Sequence, residues 1–503
     1  MEAKLTVLEE PLLDFGFGQP AQDPRDGLGL FGPFERDKPS HPASPGYVVL
    51  GAPEGVDLFE TWSESMNRPA AYVDRQGKRP HRLWPPFPGF EVAFAARWHE
   101  QPLARFLLDR EELLTASRRK DPHERCFAVV DLYLNAFERR KKSDATIGVA
   151  VCVVPEEVFT NCRPRSLVAD PSDEGISRRE KESRQSGQRD MFVDFNPDQY
   201  LMSPDFRRQL KARIMKYGVP IQIVRESTLR LSDTASFGDR RLTPLSDRMW
   251  NLSTALYYKC GGKPWRLASA RDGVCYIGLA FRRTEAGNRT ACCAAQMFLD
   301  SGDGVVFLGE FGPWYSPEKK EFHLSRAAAR QLMSGVLETY KEKEGKPLKE
   351  DFLHARSTIG EEEFAGYCEA CPAGVKVVGI RVRADRDGPR LFRDGSMPVL
   401  RGTFLKISDR SALLYGAGFK PRLGTYDGTE VPVPLRIDIE HGEASIRQVA
   451  ADILGLTKLN YNACRLGESQ PVTVRFSDAV GEILIANPRI PPDERQASFR
   501  FYI

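Results

Sequence analysis

The chain has 503 residues, too many for one hydrophobic core of ordinary size, and this length indicates about two to four domains. Apolar residues make up 41% and charged residues 28%, with a mean hydropathy of −0.41, which is typical of a globular protein and excludes a membrane or disordered chain. The net charge of +3 gives no general case for nucleic-acid binding, so any such case must rest on a local cluster.

The sequence contains no run of about 18 consecutive apolar residues and no signal-peptide pattern, which predicts a cytoplasmic protein without a membrane span. Ten cysteines, most of them in apolar runs, are expected to be reduced core residues. Cys368 and Cys371 have the spacing of metal ligands, but no second pair or nearby histidine completes a zinc site. Zinc binding is therefore not predicted.

Residues 1–43 are rich in Gly, Pro and Asp, and this composition predicts an irregular surface segment. From residue 44, short apolar runs such as Cys126–Leu134 and Ile147–Val154 alternate with amphipathic stretches. This pattern favours buried strands in a parallel sheet covered by helices, a Rossmann-like layout. Residues 170–190 have mixed charge and one apolar side chain, which indicates a solvated loop, with a binding arm as the alternative.

The next predicted element is a helix followed by a short strand. One face of the helix is apolar, with a residue every four positions, and Arg207 and Lys211 form a basic face beside it. Gly218 ends the helix, and the strand that follows contains Gln222. A basic helix face is usually only solvated, so on its own this face predicts nothing more. The apolar positions are Phe206, Leu210 and Ile214.

Beyond residue 260 the strands become longer and the helices fewer. Val274–Phe281 is continuously apolar and predicts a buried strand, and the run at 305–309 predicts a second. A helix is expected after Ser325, a plausible N-cap, and another over residues 443–456. Further strands are expected between these two helices. This order of strands and helices is typical of an RNase H-like fold.

At Lys259, which precedes a Gly-Gly turn, the sequence resembles an Argonaute. In that family a helix lysine, a glutamine in a Gly-x-x-x-Gln strand and the lysine before the Gly-Gly turn bind the 5′-phosphate of a guide strand. Lys211, Gln222 and Lys259 stand in this order. Two ammonium groups and an amide suit a terminal phosphate because it carries up to two negative charges and several acceptor oxygens. Arg207 replaces the aromatic residue or histidine that stacks on the first base in many members, and its guanidinium could stack as well.

The resemblance covers nearly the whole chain and implies an α/β architecture: a Rossmann-like MID domain followed by an RNase H-like PIWI domain. The implied boundaries are 1–43 for an irregular lead-in, 44–265 for MID and 266–503 for PIWI. The N and PAZ domains of long Argonautes have no counterpart. The chain is therefore identified as similar to the short prokaryotic Argonautes.

The resemblance also implies that the PIWI domain is catalytically inactive. Two-metal hydrolysis needs several carboxylates around two cations, and family nucleases supply an Asp-Glu-Asp-Asp or similar set. Here Ala280 occupies the first position, Ser357 stands where the third aspartate follows its strand, and Asn460 is taken as the fourth. We therefore predict no catalytic residues. The alternative is a guide-directed endonuclease that uses a different set of carboxylates.

The segment around Lys458 resembles a family motif near the guide, which implies that Lys458, Asn460 and Asn462 contact guide backbone phosphates. Ordinary polar residues at a helix C-terminus are the alternative interpretation. In family members with an apolar C-terminus, the terminal carboxylate shares a divalent ion with the 5′-phosphate. Ile503 is accordingly predicted to be a ligand of a structural Mg²⁺ through its backbone carboxylate.

Taken together, the resemblance implies a sensor in prokaryotic defence against plasmids or phage. It would bind a 5′-phosphorylated guide, expected to be RNA, and capture a complementary single-stranded target, expected to be DNA. Its output would come from a partner protein with an APAZ domain fused to a sirtuin-like or TIR NADase or to a nuclease. The partner is expected to form a heterodimer with the chain, and a larger assembly on activation is left open.

Overall fold

The structure is a computed structural model. It describes residues 4–72, 81–139, 147–168, 197–232, 236–237, 240–283, 291–298, 304–316, 318, 321–344, 347–487, 490–491 and 494–503. The predicted solvated loop at 170–190 lies outside these ranges. In the described part of the chain, no helix combines the length and the apolar character needed to cross a membrane.

The amino-terminal segment contains regular structure, so the prediction that residues 1–43 are irregular is wrong. Helix formation begins at Pro24, because Asp23 accepts a hydrogen bond from the main-chain N of Arg25 at 2.9 Å and the proline ring fixes a helical φ. The segment contains β1 (Lys4–Val7), β2 (Leu13–Asp14), β3 (Pro20–Ala21) and α1 (Pro24–Phe31).

The first domain is built on a four-stranded parallel sheet in the order β5-β4-β6-β7. All six residues of β6 are buried, as expected for a strand covered by helices on both faces. The strands are β4 (Tyr47–Gly51), β5 (Ala104–Leu107), β6 (Val149–Val154) and β7 (Ile221–Arg225). The helices are α2 (Pro53–Met66), α3 (Phe90–Phe94), α4 (Arg110–Ser117), α5 (Pro122–Glu138), α6 (Glu156–Asn161), α7 (Pro197–Leu201), α8 (Phe206–Ile214) and α9 (Leu245–Lys259).

The apolar run Cys126–Leu134 lies in helix α5, so its interpretation as a strand is wrong. The buried residues of this helix recur at helical spacing, which a short continuous apolar run does not reveal. Among them are Cys126, Val129, Val130, Tyr133 and Phe137. By contrast, Ile147–Val154 contains the buried strand β6 that was predicted.

The second domain is built on a nine-stranded mixed sheet in the order β1-β18-β19-β20-β17-β16-β11-β12-β13. Strands β11, β16 and β17 are parallel, whereas β12 and β13 continue from β11 as antiparallel neighbours. Its strands are β11 (Val274–Arg283), β12 (Ala291–Phe298), β13 (Gly304–Gly312), β16 (Glu350–Ala355), β17 (Lys376–Ala384), β18 (Thr403–Lys406), β19 (Ser411–Leu414) and β20 (Leu435–His441). The helices are α10 (Arg326–Glu344), α11 (Glu361–Ala370), α12 (Ile446–Leu456) and α13 (Val472–Leu484).

One three-stranded sheet and two two-stranded hairpins, all of short strands, complete the described topology. Strands β2 and β3 form a small sheet with β10, and two hairpins lie outside the main sheets. The amino-terminal segment thus pairs with β18 through β1 and with β10 through β2. The short strands are β8 (Ser236–Phe237), β9 (Arg240–Arg241), β10 (Arg266–Leu267), β14 (Tyr315–Ser316) and β15 (Glu321–Phe322).

Helix α13 crosses closely over strand β11. A Cβ atom added to Gly278 would lie 1.9 Å from the main-chain oxygen of Thr473, so only glycine permits this approach. The side chain of Thr473 is in turn hydrogen-bonded to Nδ1 of the buried His354 at 2.9 Å. These contacts fix α13 against the adjacent strands β11 and β16.

Candidate nucleic-acid-binding site

Helix α8 carries the first two predicted pocket residues. It begins after Asp205, whose side chain accepts a hydrogen bond from the main-chain N of Arg208 at 2.9 Å. One 3-10 turn follows, and the chain leaves it through Gly218, whose φ of 67° is the left-handed conformation that glycine adopts readily. Because the apolar face packs into the core of the first domain, Arg207 and Lys211, one turn apart, both line a cavity.

The cavity has a volume of about 1080 Å³ and is lined by residues of α8, β7 and α9. Among its described lining residues, seven are basic and only Asp205 is acidic. The site therefore has the local positive charge that the overall balance of the chain does not indicate. The basic residues are Arg163, Arg165, Arg207, Arg208, Lys211, Arg225 and Arg248.

Some of this charge is already engaged within the protein. Arg225 pairs with Glu156, and Arg208 pairs with Glu482 of α13 at 2.7 Å. The guanidinium of Arg248 donates to four main-chain oxygens between residues 228 and 243 and so holds the chain that precedes α9. The side chain of Arg207, in contrast, is exposed and donates no hydrogen bond to any residue in the described ranges.

Lys211 and Lys259 converge on Ile503, and Lys211 and Ile503 also line the cavity. Lys211 comes from α8, and Lys259 is the last residue of α9. Both ammonium groups donate to the same main-chain oxygen of Ile503, from Lys259 at 2.6 Å. Ile503 itself is buried. Three residues far apart in the sequence thus meet at one point of the molecule.

The two ammonium groups are held in a place that disfavours their charge. Burial, with Lys259 and Arg207 nearby, holds the pKa of Lys211 well below its usual range. Burial and the neighbouring Arg207 lower the pKa of Lys259 to about 7. The Ile503 oxygen opposes this effect because it accepts from both groups. An anion bound beside these two buried amines would stabilise their charged forms.

Gln222 lies on β7 and lines the same cavity. Its side-chain Nε2 donates to the main-chain oxygen of Ile223 at 3.0 Å. Its Oε1 is buried and accepts no hydrogen bond from the described residues. A buried oxygen without a partner is costly in the empty protein, which marks this carboxamide as a group available to a ligand.

Known proteins similar to this chain include Argonautes. No protein-family model matches the chain. A curated relative, "Protein argonaute" of Aquifex aeolicus, is 22% identical over 300 residues, which are 58% of this chain and 38% of the relative. The structure of Clostridium butyricum Argonaute, bound to a guide DNA and a 19-mer target DNA, is similar over 100% of this chain with a TM-score of 0.62 and 16% identity. The A. aeolicus Argonaute structure is similar over 96% of the chain with a TM-score of 0.55 and 13% identity.

The chain has the Argonaute fold. It spans only 55% and 54% of those two solved chains, and about two fifths of the curated relative. The α/β fold class is confirmed: the four-stranded parallel sheet belongs to the MID domain, and the nine-stranded sheet belongs to the RNase H-like PIWI domain.

Lys458 does not face the cavity. Its side chain is fully buried, and its ammonium donates to Glu10 Oε1 at 2.9 Å and to the main-chain oxygens of Pro11 and Gln22. The structure therefore does not support the prediction that Lys458 contacts guide phosphates. All three N–H donors of its ammonium group hold the amino-terminal segment instead. The sequence around Lys458 does not reveal this, since Glu10 is distant in the chain.

The two asparagines of the same segment differ from each other. Asn460 is buried, donates to Glu468 Oε1 at 2.9 Å and accepts from the main-chain N of Asn462, so it acts as a local structural residue. Asn462 is half-buried and lines the cavity. Of the three predicted backbone contacts, only Asn462 is placed where a ligand in the cavity would lie.

Two of the three predicted catalytic positions, Ala280 and Ser357, lie near the carboxyl ends of β11 and β16. Ala280 is buried in β11, and Ser357 follows β16 after Arg356. Because Leu279 pairs with Ala355 in parallel register, Ala280 and Arg356 are level with each other on adjacent strands. No group of three His, Cys, Asp or Glu side chains suited to a metal ion occurs among the described residues.

Sequence reasoning did not single out Asp478, which lies at this edge. Asp478 lies on α13, and its carboxylate pairs with Arg356 and, at 2.9 Å, with Arg282 of β11. Asn460 instead bonds to Glu468 and lies in the loop after α12. Helix α13 packs on Gly278 and thereby brings Asp478 to the strand ends. This packing cannot be inferred from the local sequence.

Proposed function

We propose that the chain is a guide-binding protein of the Argonaute family, and that its cavity holds the 5′-phosphate of the guide. One observation carries this proposal: Lys211 and Lys259 meet at the main-chain oxygen of Ile503, a residue that lines a basic cavity. A terminal phosphate is the ligand that best satisfies two adjacent ammonium groups, because it brings up to two charges and several acceptor oxygens. Arg207 and Gln222 line the same cavity and would supply further donors.

Guide binding tests the pocket directly. In the double variant Lys211→Ala, Lys259→Ala, the preference for 5′-phosphorylated over 5′-hydroxyl guides is expected to fall by roughly 100-fold, because a hydrogen bond to a charged group contributes about 1.5–3 kcal/mol. Fluorescence anisotropy with matched RNA and DNA guides measures this preference. Tighter binding of the RNA guide would support RNA as the natural guide. Lys216→Ala is the control, since Lys216 is exposed and pairs with Glu138. An unchanged preference in the double variant would refute the assignment.

We propose that a divalent cation lies beside the phosphate. The buried Oε1 of Gln222 lacks a partner among the described residues, and the main-chain oxygen of Ile503 lies in the same cavity. Mg²⁺ is commonly held by one or two protein oxygens together with phosphate oxygens and water. Bound there, Mg²⁺ would offset the negative charge that accumulates around the phosphate. Isothermal titration with and without EDTA should show weaker binding of phosphorylated guides once Mg²⁺ is removed.

The bound guide would then capture a complementary single strand by base pairing, with DNA as the proposed target. In such a complex the protein holds backbones and the guide reads sequence. The solved C. butyricum Argonaute holds both a guide DNA and a target DNA, which supports this interpretation of the fold. Capture is tested by guide-dependent retention of labelled DNA and RNA targets, with a scrambled target as the control.

We further propose that the chain cuts nothing itself and acts in defence against plasmids or phage through an APAZ-domain effector, an NADase or a nuclease. Ala280 on β11, with Arg282 and Arg356 at the strand ends, supports the first part. Purification of the chain from its native host, followed by identification of bound proteins, tests the second part. NAD consumption on addition of target would identify an NADase.

The alternative function is a guide-directed endonuclease. One observation favours it: the carboxylate of Asp478 lies at the strand ends, where catalytic metals bind in an RNase H-like fold. Incubation of the guide-loaded chain with labelled target and Mg²⁺ or Mn²⁺ distinguishes the two. Cleavage that requires the guide and is lost in Asp478→Asn would establish the endonuclease.

A further inference from the structure

The carboxyl ends of β11 and β16 carry a cluster of charged side chains outside the cavity. Arg282 lies two residues beyond Ala280 on β11, and Arg356 follows β16. Both guanidinium groups converge on Asp478 of α13. The two arginines and Asp478 are named here the strand-end cluster, and it combines two fixed cations with one carboxylate.

Further contacts of the cluster fix the arginines. Arg356 also donates to Gln470 Oε1 at 3.1 Å and to the main-chain oxygen of Val474 at 3.2 Å. Arg282 donates from Nε to the main-chain oxygen of Asp478 at 3.4 Å and lies 3.7 Å from Glu482. Glu482 itself pairs more closely with Arg208 at 2.7 Å, so it neutralises that arginine rather than Arg282. The strand-end cluster is thus left with a net charge of about +1.

The arginines keep the capacity to bind a second anion. Their side chains are 30% and 45% exposed for Arg282 and Arg356 respectively. A guanidinium has five N–H donors, and the contacts to described residues leave Nη1 of Arg282 and Nε of Arg356 without an acceptor. Arginine forks match phosphate oxygens in geometry, and two of them held by one carboxylate lose little freedom when a phosphate binds.

We propose that Arg282 and Arg356 bind a backbone phosphate of the nucleic acid, at the strand ends where a nuclease of this fold would hold metal ions, and that Asp478 positions the two guanidinium groups. This inference rests on the proposed function, since it requires a nucleic acid on the PIWI surface. Two guanidinium groups hold a phosphate without activating water, so the strand would be gripped at this edge and left intact.

The experiment compares guide binding and target capture by the full chain in Arg282→Ala, Arg356→Ala. We expect the variant to bind the strand whose phosphate is held roughly 10-fold more weakly. The slope of the logarithm of the binding constant against the logarithm of the salt concentration should be smaller in magnitude by about one. Measurements with a 5′-phosphorylated guide alone, and with labelled complementary DNA added to the loaded chain, assign the effect to the guide or to the target. The control is Arg326→Ala, an exposed arginine of α10 that pairs with Glu369.

The carboxylate gives a second arm with the opposite sign. Asp478→Asn keeps a side-chain oxygen that accepts from an arginine and so retains part of the positioning, but it removes the negative charge that competes with phosphate, so binding should tighten and the salt dependence of binding should steepen. Normal binding and an unchanged salt slope in the arginine variant would overturn the proposal, as would weaker binding in Asp478→Asn. If the wild-type chain bound no guide at all, the proposed function itself would be refuted. Failure of the proposed function is therefore distinguishable from failure of the arginine proposal.

Discussion

Lys458 and Glu10 form an ion pair, with 2.9 Å between Nζ and Oε1, that ties the amino-terminal segment to the PIWI domain. Glu10 also pairs with Arg401 at 2.9 Å, and both basic side chains are almost completely buried. Burial lowers the pKa of Lys458 to about 8, and Glu10 opposes the shift. The segment predicted to be irregular is thus held by one carboxylate between two buried cations.

Glu10→Ala is expected to lower the free energy of unfolding by about 3 kcal/mol, because it leaves two buried cations without their carboxylate. Urea denaturation followed by circular dichroism measures the change. The matched control is Glu9→Ala, because Glu9 is exposed and adjacent in sequence. Equal stabilities of the two variants would show that the ion pair contributes nothing to the attachment of the segment.

Asp351 predicts a specific dependence of stability on pH. This residue of β16 is completely buried, neither carboxyl oxygen has a partner among the described residues, and burial raises its pKa from 3.8 to about 8. Between these values the folded state keeps a proton that the unfolded state has lost. The contribution of Asp351 to stability is therefore fully present below the lower value and falls by about 1.4 kcal/mol per pH unit as pH rises towards 8.

Asp351→Asn should remove this slope, because an amide does not titrate in this range. The difference in unfolding free energy between variant and wild type is then expected to grow in favour of the variant as pH rises from 4 to 8. Asp394→Asn, at an exposed aspartate, serves as the control. A difference that stays constant with pH would mean that Asp351 is ionised in the folded protein.

The pocket lysines predict that recognition of the 5′-phosphate depends on pH. The pKa values of both lysines are lowered, that of Lys259 to about 7, so above pH 7 the protein must take up at least one proton to present two cations to the phosphate. The preference for phosphorylated guides should therefore weaken by up to about tenfold per unit above pH 7. Lys259→Arg, whose guanidinium stays charged, should flatten the profile measured by anisotropy. A flat wild-type profile would contradict the prediction.

The sequence predicts which face of helix α8 is buried, because that information is local. The apolar spacing of Phe206, Leu210 and Ile214 defines which face of α8 is buried, and that face determines where Lys211 lies. The order of the strands likewise follows from their apolar runs. What local spacing does not contain is the meeting of Lys211 with Lys259, which only the family resemblance implied.

The sequence-based predictions that failed depend on long-range packing rather than on local spacing. Lys458 pairs with Glu10, far away in the chain, and Asp478 reaches the strand ends only because α13 packs against Gly278. A short apolar run such as Cys126–Leu134 is compatible with a helix or a strand until its neighbours are known. Local propensity sets neither these partners nor the side on which a segment packs.

Asp205 offers a way to separate the stability of α8 from the charge of the cavity. Its carboxylate caps the helix through the main-chain N of Arg208, and it is the acidic residue among the described cavity lining. Asp205→Ala should lower the free energy of unfolding by about 1 kcal/mol, because the cap is lost. Asp205→Asn keeps a capping oxygen, so its stability should match the wild type while guide binding tightens with the loss of one negative charge. Thermal unfolding and guide anisotropy on both variants give the two readouts, and weaker guide binding by Asp205→Asn would show that this carboxylate positions the basic residues rather than opposing the phosphate.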